Sequence, residues 1–216
     1  YFGRAIAFKD KPFVQVTAAT LIDKFFPLMI VAFVGSISGI LFLHFHYKVS
    51  FYLTMAMFIV MFSLFYFLVI VIRNEKFWDG VLFTRLKNSR RFKHLLLPLQ
   101  TFNGLDKKYF GRMLVVSLLF YLCFLLQYTL LVSSFSHNNE LLNYFWAGNL
   151  MMFAKTVIPP ISLGELGIRE GASVFFLTKF GELSSVAFNA SIFLFIINIL
   201  LPALVGLILL AKRNND

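Results

Sequence analysis

Four stretches of the chain are apolar for about the 20 residues that a helix needs to cross a hydrocarbon layer. They run roughly over 25–43, 51–72, 113–132 and 186–211, and Pro202 marks a place for the last to bend. A fifth stretch, 141–180, is also apolar but interrupted. Its centre reads TVIPPISLGELGIREGASVFF, Thr156–Phe176, with helix breakers and ionisable groups set among Leu, Ile, Val, Phe and Met. The loop over 73–112 is polar and basic, yet Phe92, Leu95, Leu96 and Leu99 fall on one helical face. That face predicts an interfacial helix or a connector lying against the membrane. The residues before Phe25 predict a similar elbow. The pattern as a whole predicts an all-α polytopic integral membrane helical bundle with a broken or re-entrant helical hairpin, one transmembrane domain over 1–216.

Composition agrees with that reading. The 216 residues are 59% hydrophobic and 14% charged, with a mean hydropathy of +0.80. Soluble domains carry near 25% charged residues, and a soluble fold of this size could not bury so much apolar surface. The chain opens on Tyr1, and its first residues show no signal peptide. It is therefore expected to be the C-terminal part of a longer membrane domain. Cys123 is the only cysteine, which excludes an internal disulfide and a cysteine metal cluster. No cofactor is implied.

Charge predicts the orientation. The net charge of +10 would suit nucleic acid in a soluble protein, but in a membrane protein Lys and Arg collect in cytoplasmic loops. Ten Lys and Arg lie between Arg73 and Arg112, against three acids, and further basic residues lie at both ends. By contrast HFHYKVS has one lysine and SSFSHNNE has none. Both ends are thus expected to be cytoplasmic, in a cell (inner) membrane, with no nucleic-acid partner. Four spans already satisfy that parity, so 141–180 must cross twice or re-enter from outside.

The interruption has physical content. Pro159 and Pro160 lack backbone donors, so a helix arriving from Trp146 should stop near Ile158. Ser162 and Glu165 form S-x-x-E, the pattern of a capping box, so a second helix is expected to start there. Gly164, Gly167 and Gly171 are spaced to lie on one face, where small residues let another backbone approach. Arg169 lies four residues after Glu165, in the favourable order for an ion pair. Glu170 points about 100° away and needs another partner or a watery cavity. Charge at the bilayer centre costs about 2.5–3.5 kcal/mol per residue on insertion scales. Broken helices occur at membrane depth only when buried in protein or lining a cavity. A helix N-terminus suits an anion, and helix ends aimed at a substrate are a transporter design. The plain alternative is an external loop whose charges sit in water.

Other polar positions are weaker candidates. Lys155, one turn before the prolines, either snorkels or faces the same cavity. Asn149, Gln127, Asn189 and Asn198 suit hydrogen bonds between helices. Asp23 and Lys24 mark either the cytoplasmic interface or, with Pro27, a second helix break. His44 and His46 form H-x-H without a carboxylate, a poor metal signal. No Walker loop, H-E-x-x-H or G-x-S-x-G is present.

At PPISLGELGIREGA the chain resembles the lysylphosphatidylglycerol synthase transmembrane family of flippase-like membrane proteins. That family includes the membrane domain of the bacterial multiple peptide resistance factor. Pro160, Ser162, Gly164, Leu166, Gly167, Arg169 and Glu170 match its pattern, and Glu165 stands where the family usually has a second glycine. Asp23-Lys24, the long basic loop and YFWAGNLMMFAKTVIPP also fit the family layout. The resemblance implies lipid translocation, or service to lipid and glycan synthesis, and nothing in the chain resembles the family's separate soluble synthase domain.

The sequence therefore supports a flippase-like protein that translocates or binds a phospholipid or lipid-linked anionic substrate. Ser162, Glu165, Arg169, Glu170 and Lys155 would bind it, with Pro159, Pro160, Gly164, Gly167 and Gly171 as the structural frame. The alternatives are an accessory or catalytic membrane subunit in lipid or glycan transfer, and a structural subunit of a larger membrane complex. The expected partners are membrane lipids, anionic ones included, and a homo-oligomer or larger membrane complex fits the same residues.

Overall fold

In the computed structural model the described residues are 13–73, 107–158 and 167–213. All of their regular structure is helical, as an all-α membrane bundle requires. In chain order α1 is Phe13–Tyr47, α2 is Phe51–Arg73, α3 is Lys107–Phe135, α4 is Leu141–Val157 and α5 is Ile168–Lys179. Then α6, Ser184–Phe195, runs through a π-helical turn, Ile196–Leu200, into α7, Leu201–Arg213. Three described helical stretches are long and apolar enough to cross a membrane: Asp23–Tyr47, Lys108–Phe135 and Ser184–Leu209.

The chain divides into two compact units. The first comprises Tyr1–Phe33 with Ile40–Leu119. Its core is built on Phe26, fully buried among Phe25, Phe110, Met113 and Leu114. Phe33 meets Phe62 and Phe65 edge to face, a favoured aromatic geometry. The outer faces of α2 are apolar and exposed, Tyr52, Ile59, Leu64 and Phe67 among them, as lipid contact requires. The turn from α1 to α2 is closed by His44, whose Nδ1 lies 2.9 Å from the Val49 carbonyl and 3.1 Å from Thr54 Oγ1. His44 thus serves a turn, and among the described residues no group of three metal-ligating side chains exists.

Helix α1 is longer than its apolar stretch predicts. Residues 13–24, where the sequence predicts an elbow, continue the same helix, and residues 1–12 lie outside the described residues. Pro27 lies inside it. A proline cannot donate to the carbonyl four residues back, here Asp23, yet the helix runs on unbroken. The second helix break is therefore not formed, and Asp23 and Lys24 sit exposed on an intact helix. The basic loop over 74–106, with its predicted interfacial face, lies outside the described residues.

The second unit comprises Val34–Gly39 and Phe120–Asp216. Within it α5 packs against both α4 and α6. Helices α4 and α5 run antiparallel. Tyr144 and Trp146, near the start of α4, meet Glu182 and Phe180, just past the end of α5. At 17 and 12 residues the two helices are about 26 Å and 18 Å long, shorter than a hydrocarbon layer of about 30 Å. They form a hairpin, with the end of α4 and the start of α5 together at its tip.

The π turn has a cause in Pro202. The Leu201 N–H reaches the Ile196 carbonyl, five residues back. The proline that follows has no N–H to give and would crowd the carbonyl of Asn198. One wider turn removes the conflict and keeps the helix going.

Candidate functional site

The hairpin is held in place by polar bonds that leave little unsatisfied. Asn149, buried in α4, accepts from Tyr121 Oη of α3 and donates through Nδ2 to Ser38 Oγ of α1. Trp146 Nε1 donates to the Ser38 carbonyl at 3.2 Å. Ser173 Oγ donates to the Ala187 carbonyl at 2.7 Å, so Tyr128 Oη, 2.6 Å away, donates to it. That chain ties α3, α5 and α6. At the base of the hairpin, Glu182 Oε1 accepts from Tyr144 Oη at 2.6 Å and from Ser136 Oγ at 2.8 Å.

Close backbone approach occurs at two glycines outside the motif. A Cβ on Gly35 would lie 2.5 Å from Phe153 Cβ, and one on Gly148 would lie 2.6 Å from Tyr128 Cδ1. The predicted glycine face looks different. Gly167 has φ +94° and caps α5, and among the described residues nothing comes within 4 Å of a Cβ built on Gly167 or on Gly171. Among the described residues nothing packs onto either glycine, and the positive φ of Gly167 takes it off the helical repeat. Gly164 lies outside the described residues.

The tip carries the charges. Pro159, Pro160, Ser162 and Glu165 all lie outside the described residues, and so do the predicted capping box and the Glu165–Arg169 ion pair. What is described is a helix start at Gly167. The Glu170 carboxylate reaches back, Oε2 accepting from the Gly167 N–H at 2.5 Å. Glycine has no side chain to return the bond, so the box is one-sided. The other oxygen, Oε1, lies 3.4 Å from both Nε and NH2 of Arg169. Glu170 therefore meets its neighbour in sequence, although the helical repeat separates the two by about 100°. Long side chains folding toward one another at the first turn of a helix overcome that separation.

Arg169 is fully buried and Glu170 is 6% exposed. The guanidinium lies over the Phe195 ring, with 5.2 Å from Cζ to the ring centroid. Among the described residues Arg169 NH1 is the one buried side-chain nitrogen or oxygen without a hydrogen-bond partner. An unpaired buried donor is costly, and this one belongs to a permanently charged group. It stands beside a helix start, where the first backbone amides have no intrahelical acceptors. In the last turn of α4, Lys155 is half-buried, with Nζ 5.9 Å from the Phe124 ring centroid. Of the predicted binding residues, then, Arg169 and Glu170 come together, and Lys155 sits in the last turn before the tip.

Sequence reasoning missed Phe195, Glu182, Gly35 and Gly148. Isolated glycines inside apolar helical runs were an available signal for the last two. Phe195 is one of 29 phenylalanines, and nothing in its neighbourhood marks it.

Comparison with protein families identifies the family of the chain. The family model for the lysylphosphatidylglycerol synthase transmembrane region matches residues 4–206. Curated proteins and solved structures gave no match.

Proposed function

The chain belongs to the lysylphosphatidylglycerol synthase transmembrane family, an integral membrane family tied to lipid modification or flipping, and from that premise we propose that it binds and translocates a phospholipid or lipid-linked anion. The observation that carries this reading is the buried guanidinium of Arg169 with NH1 unpartnered. A charge kept out of water without full pairing is expensive and marks function by default. Arginine's planar fork matches phosphate oxygens. Placed at the tip of a hairpin of two short helices, beside the N-terminus of α5 with its positive dipole end, it supplies what an anionic head group needs. Lys155 adds a second positive charge on the facing helix of the hairpin. Anionic membrane lipids are the partners this reading implies.

The test is lipid flipping in vesicles that contain the full-length protein, followed with fluorescent phosphatidylglycerol. The wild type is expected to accelerate exchange between leaflets. An Arg169→Ala, Glu170→Ala double variant, still monodisperse in detergent, is expected to lose that acceleration. Unchanged transport in the double variant sinks the site assignment.

A further inference from the structure

A guanidinium is flat and carries five N–H donors in a fixed fork. In Arg169 the edge formed by Nε and NH2 faces Glu170 Oε1, at 3.4 Å from each nitrogen. The guanidinium lies over the Phe195 ring, 5.2 Å from Cζ to its centroid. What remains is the end edge, made of NH1 and the outer hydrogen of NH2. NH1 is buried and bonded to nothing among the described residues. Two oxygens of one oxyanion fit such an edge side by side.

Phe195 is itself fixed in position. It is the last residue of α6, and the π turn begins at the next residue. Within that turn the Asn198 side chain uses both hydrogens of Nδ2. One goes to the Leu194 carbonyl at 3.0 Å and the other to Gln127 Oε1 of α3 at 3.1 Å. The turn that directly follows Phe195 is therefore tied to a second helix. Leu194, its neighbour, is fully buried. A π turn replaces one regular turn only where something holds it, and such turns recur at functional sites.

We propose that Phe195 is a positioning residue for the Arg169 site: its ring fixes the plane of the guanidinium so that only the end edge is offered, and a phosphate oxyanion is gripped there through two oxygens. The proposal rests on the reading of Arg169 as the anion-binding group. The oxyanion can come from a lipid head group or from free phosphate, and the two share this chemistry.

The experiment uses the full-length protein in detergent, with short-chain phosphatidylglycerol as the probe and inorganic phosphate as a competitor. Phe195→Leu keeps apolar bulk and removes the ring. It is expected to weaken lipid binding about fivefold to thirtyfold, the range of a desolvated cation–π contact. Phe195→Tyr restores the ring and is expected to stay within about twofold of wild type. In ligand-free protein labelled with 15N-arginine, the Arg169 Nε–H resonance is expected to shift and exchange faster in Phe195→Leu, and to be restored in Phe195→Tyr. A merely structural role would not move that resonance while leaving the unfolding temperature in place. Competition by inorganic phosphate, weakened by the same factor in Phe195→Leu, supports an oxyanion site open to free phosphate. Absence of competition, with lipid binding weakened alone, supports one reached only by a head group. If Arg169→Gln loses the lipid while Phe195→Leu keeps it, or if the Nε–H resonance is the same in Phe195→Leu, the positioning role is overturned and the anion site survives. If Arg169→Gln keeps the lipid, the anion site itself is overturned, and the positioning role with it.

Discussion

The middle and the tip of the α4–α5 hairpin both bury polar groups, and they treat them differently. In the middle, the Asn149 amide has a partner on its oxygen and on its nitrogen, and Ser173 both accepts and donates. At the tip, Arg169 is more buried than Asn149 and carries a charge, yet NH1 has no partner among the described residues. Polar groups with every bond made stitch helices together, because membrane interiors offer no water to replace a lost partner. A buried charge with a bond left open is a place where something else belongs. The contrast separates glue from site within one hairpin.

The largest effect is expected from breaking the tip. Arg169→Met leaves the Glu170 carboxylate buried beside an apolar chain, which should cost about 3–5 kcal/mol, read as a lower unfolding temperature in detergent. Arg169→Met combined with Glu170→Gln removes both charges and keeps an amide oxygen for the Gly167 N–H. Most of that stability should return while anion binding does not. If the double variant is as unstable as the single one, Arg169 is a structural residue and the contrast with Asn149 collapses.

Overpacking comes next. Gly148→Ala and Gly35→Ala each force a Cβ well inside contact distance of a neighbouring side chain, at an expected cost of about 1–3 kcal/mol. The same unfolding measurement reports it. Gly35→Ala and Gly148→Ala lie away from the tip, so the affinity per folded molecule should hold. A smaller loss is expected for Asn149→Leu. It strands Tyr121 Oη and Ser38 Oγ, and hydrogen bonds between membrane helices average about 0.6 kcal/mol. Binding should again be unchanged, and a Leu variant that folds normally but no longer binds would move Asn149 from glue to site. The smallest effect is expected for Gly171→Ala, exposed on a helix with open space around its Cα. Helix propensity should make it neutral or more stable by up to about 1 kcal/mol.

Much of the architecture was legible because apolar length and glycine or proline punctuation act locally. The helices over Phe51–Arg73 and Lys107–Phe135 follow from runs of apolar residues, and the interruption after Val157 follows from two prolines. Pro27 shows where such logic stops. The same residue type breaks nothing inside α1, because one missing donor is a small loss in a helix of 35 residues. Arg169 and Glu170 stood out as charges in an apolar stretch. Their partnership did not, since helical spacing assigns Arg169 to Glu165, and only the positive φ of Gly167 reveals that α5 starts late enough for Glu170 to cap it. Phe195 and Glu182 could not be read at all. Each gains its meaning from a residue far along the chain, Phe195 from Arg169 and Glu182 from Tyr144 and Ser136.

The central claim is that the end edge of Arg169 holds the phosphate of a lipid. The most direct measurement is a density map of the full-length protein in nanodiscs containing phosphatidylglycerol, at a resolution that places head groups. The account predicts a head-group phosphate within hydrogen-bond distance of Arg169 NH1, with Phe195 still against the guanidinium. NH1 bonded instead to a side chain of the protein, with no head group near the tip, would contradict it.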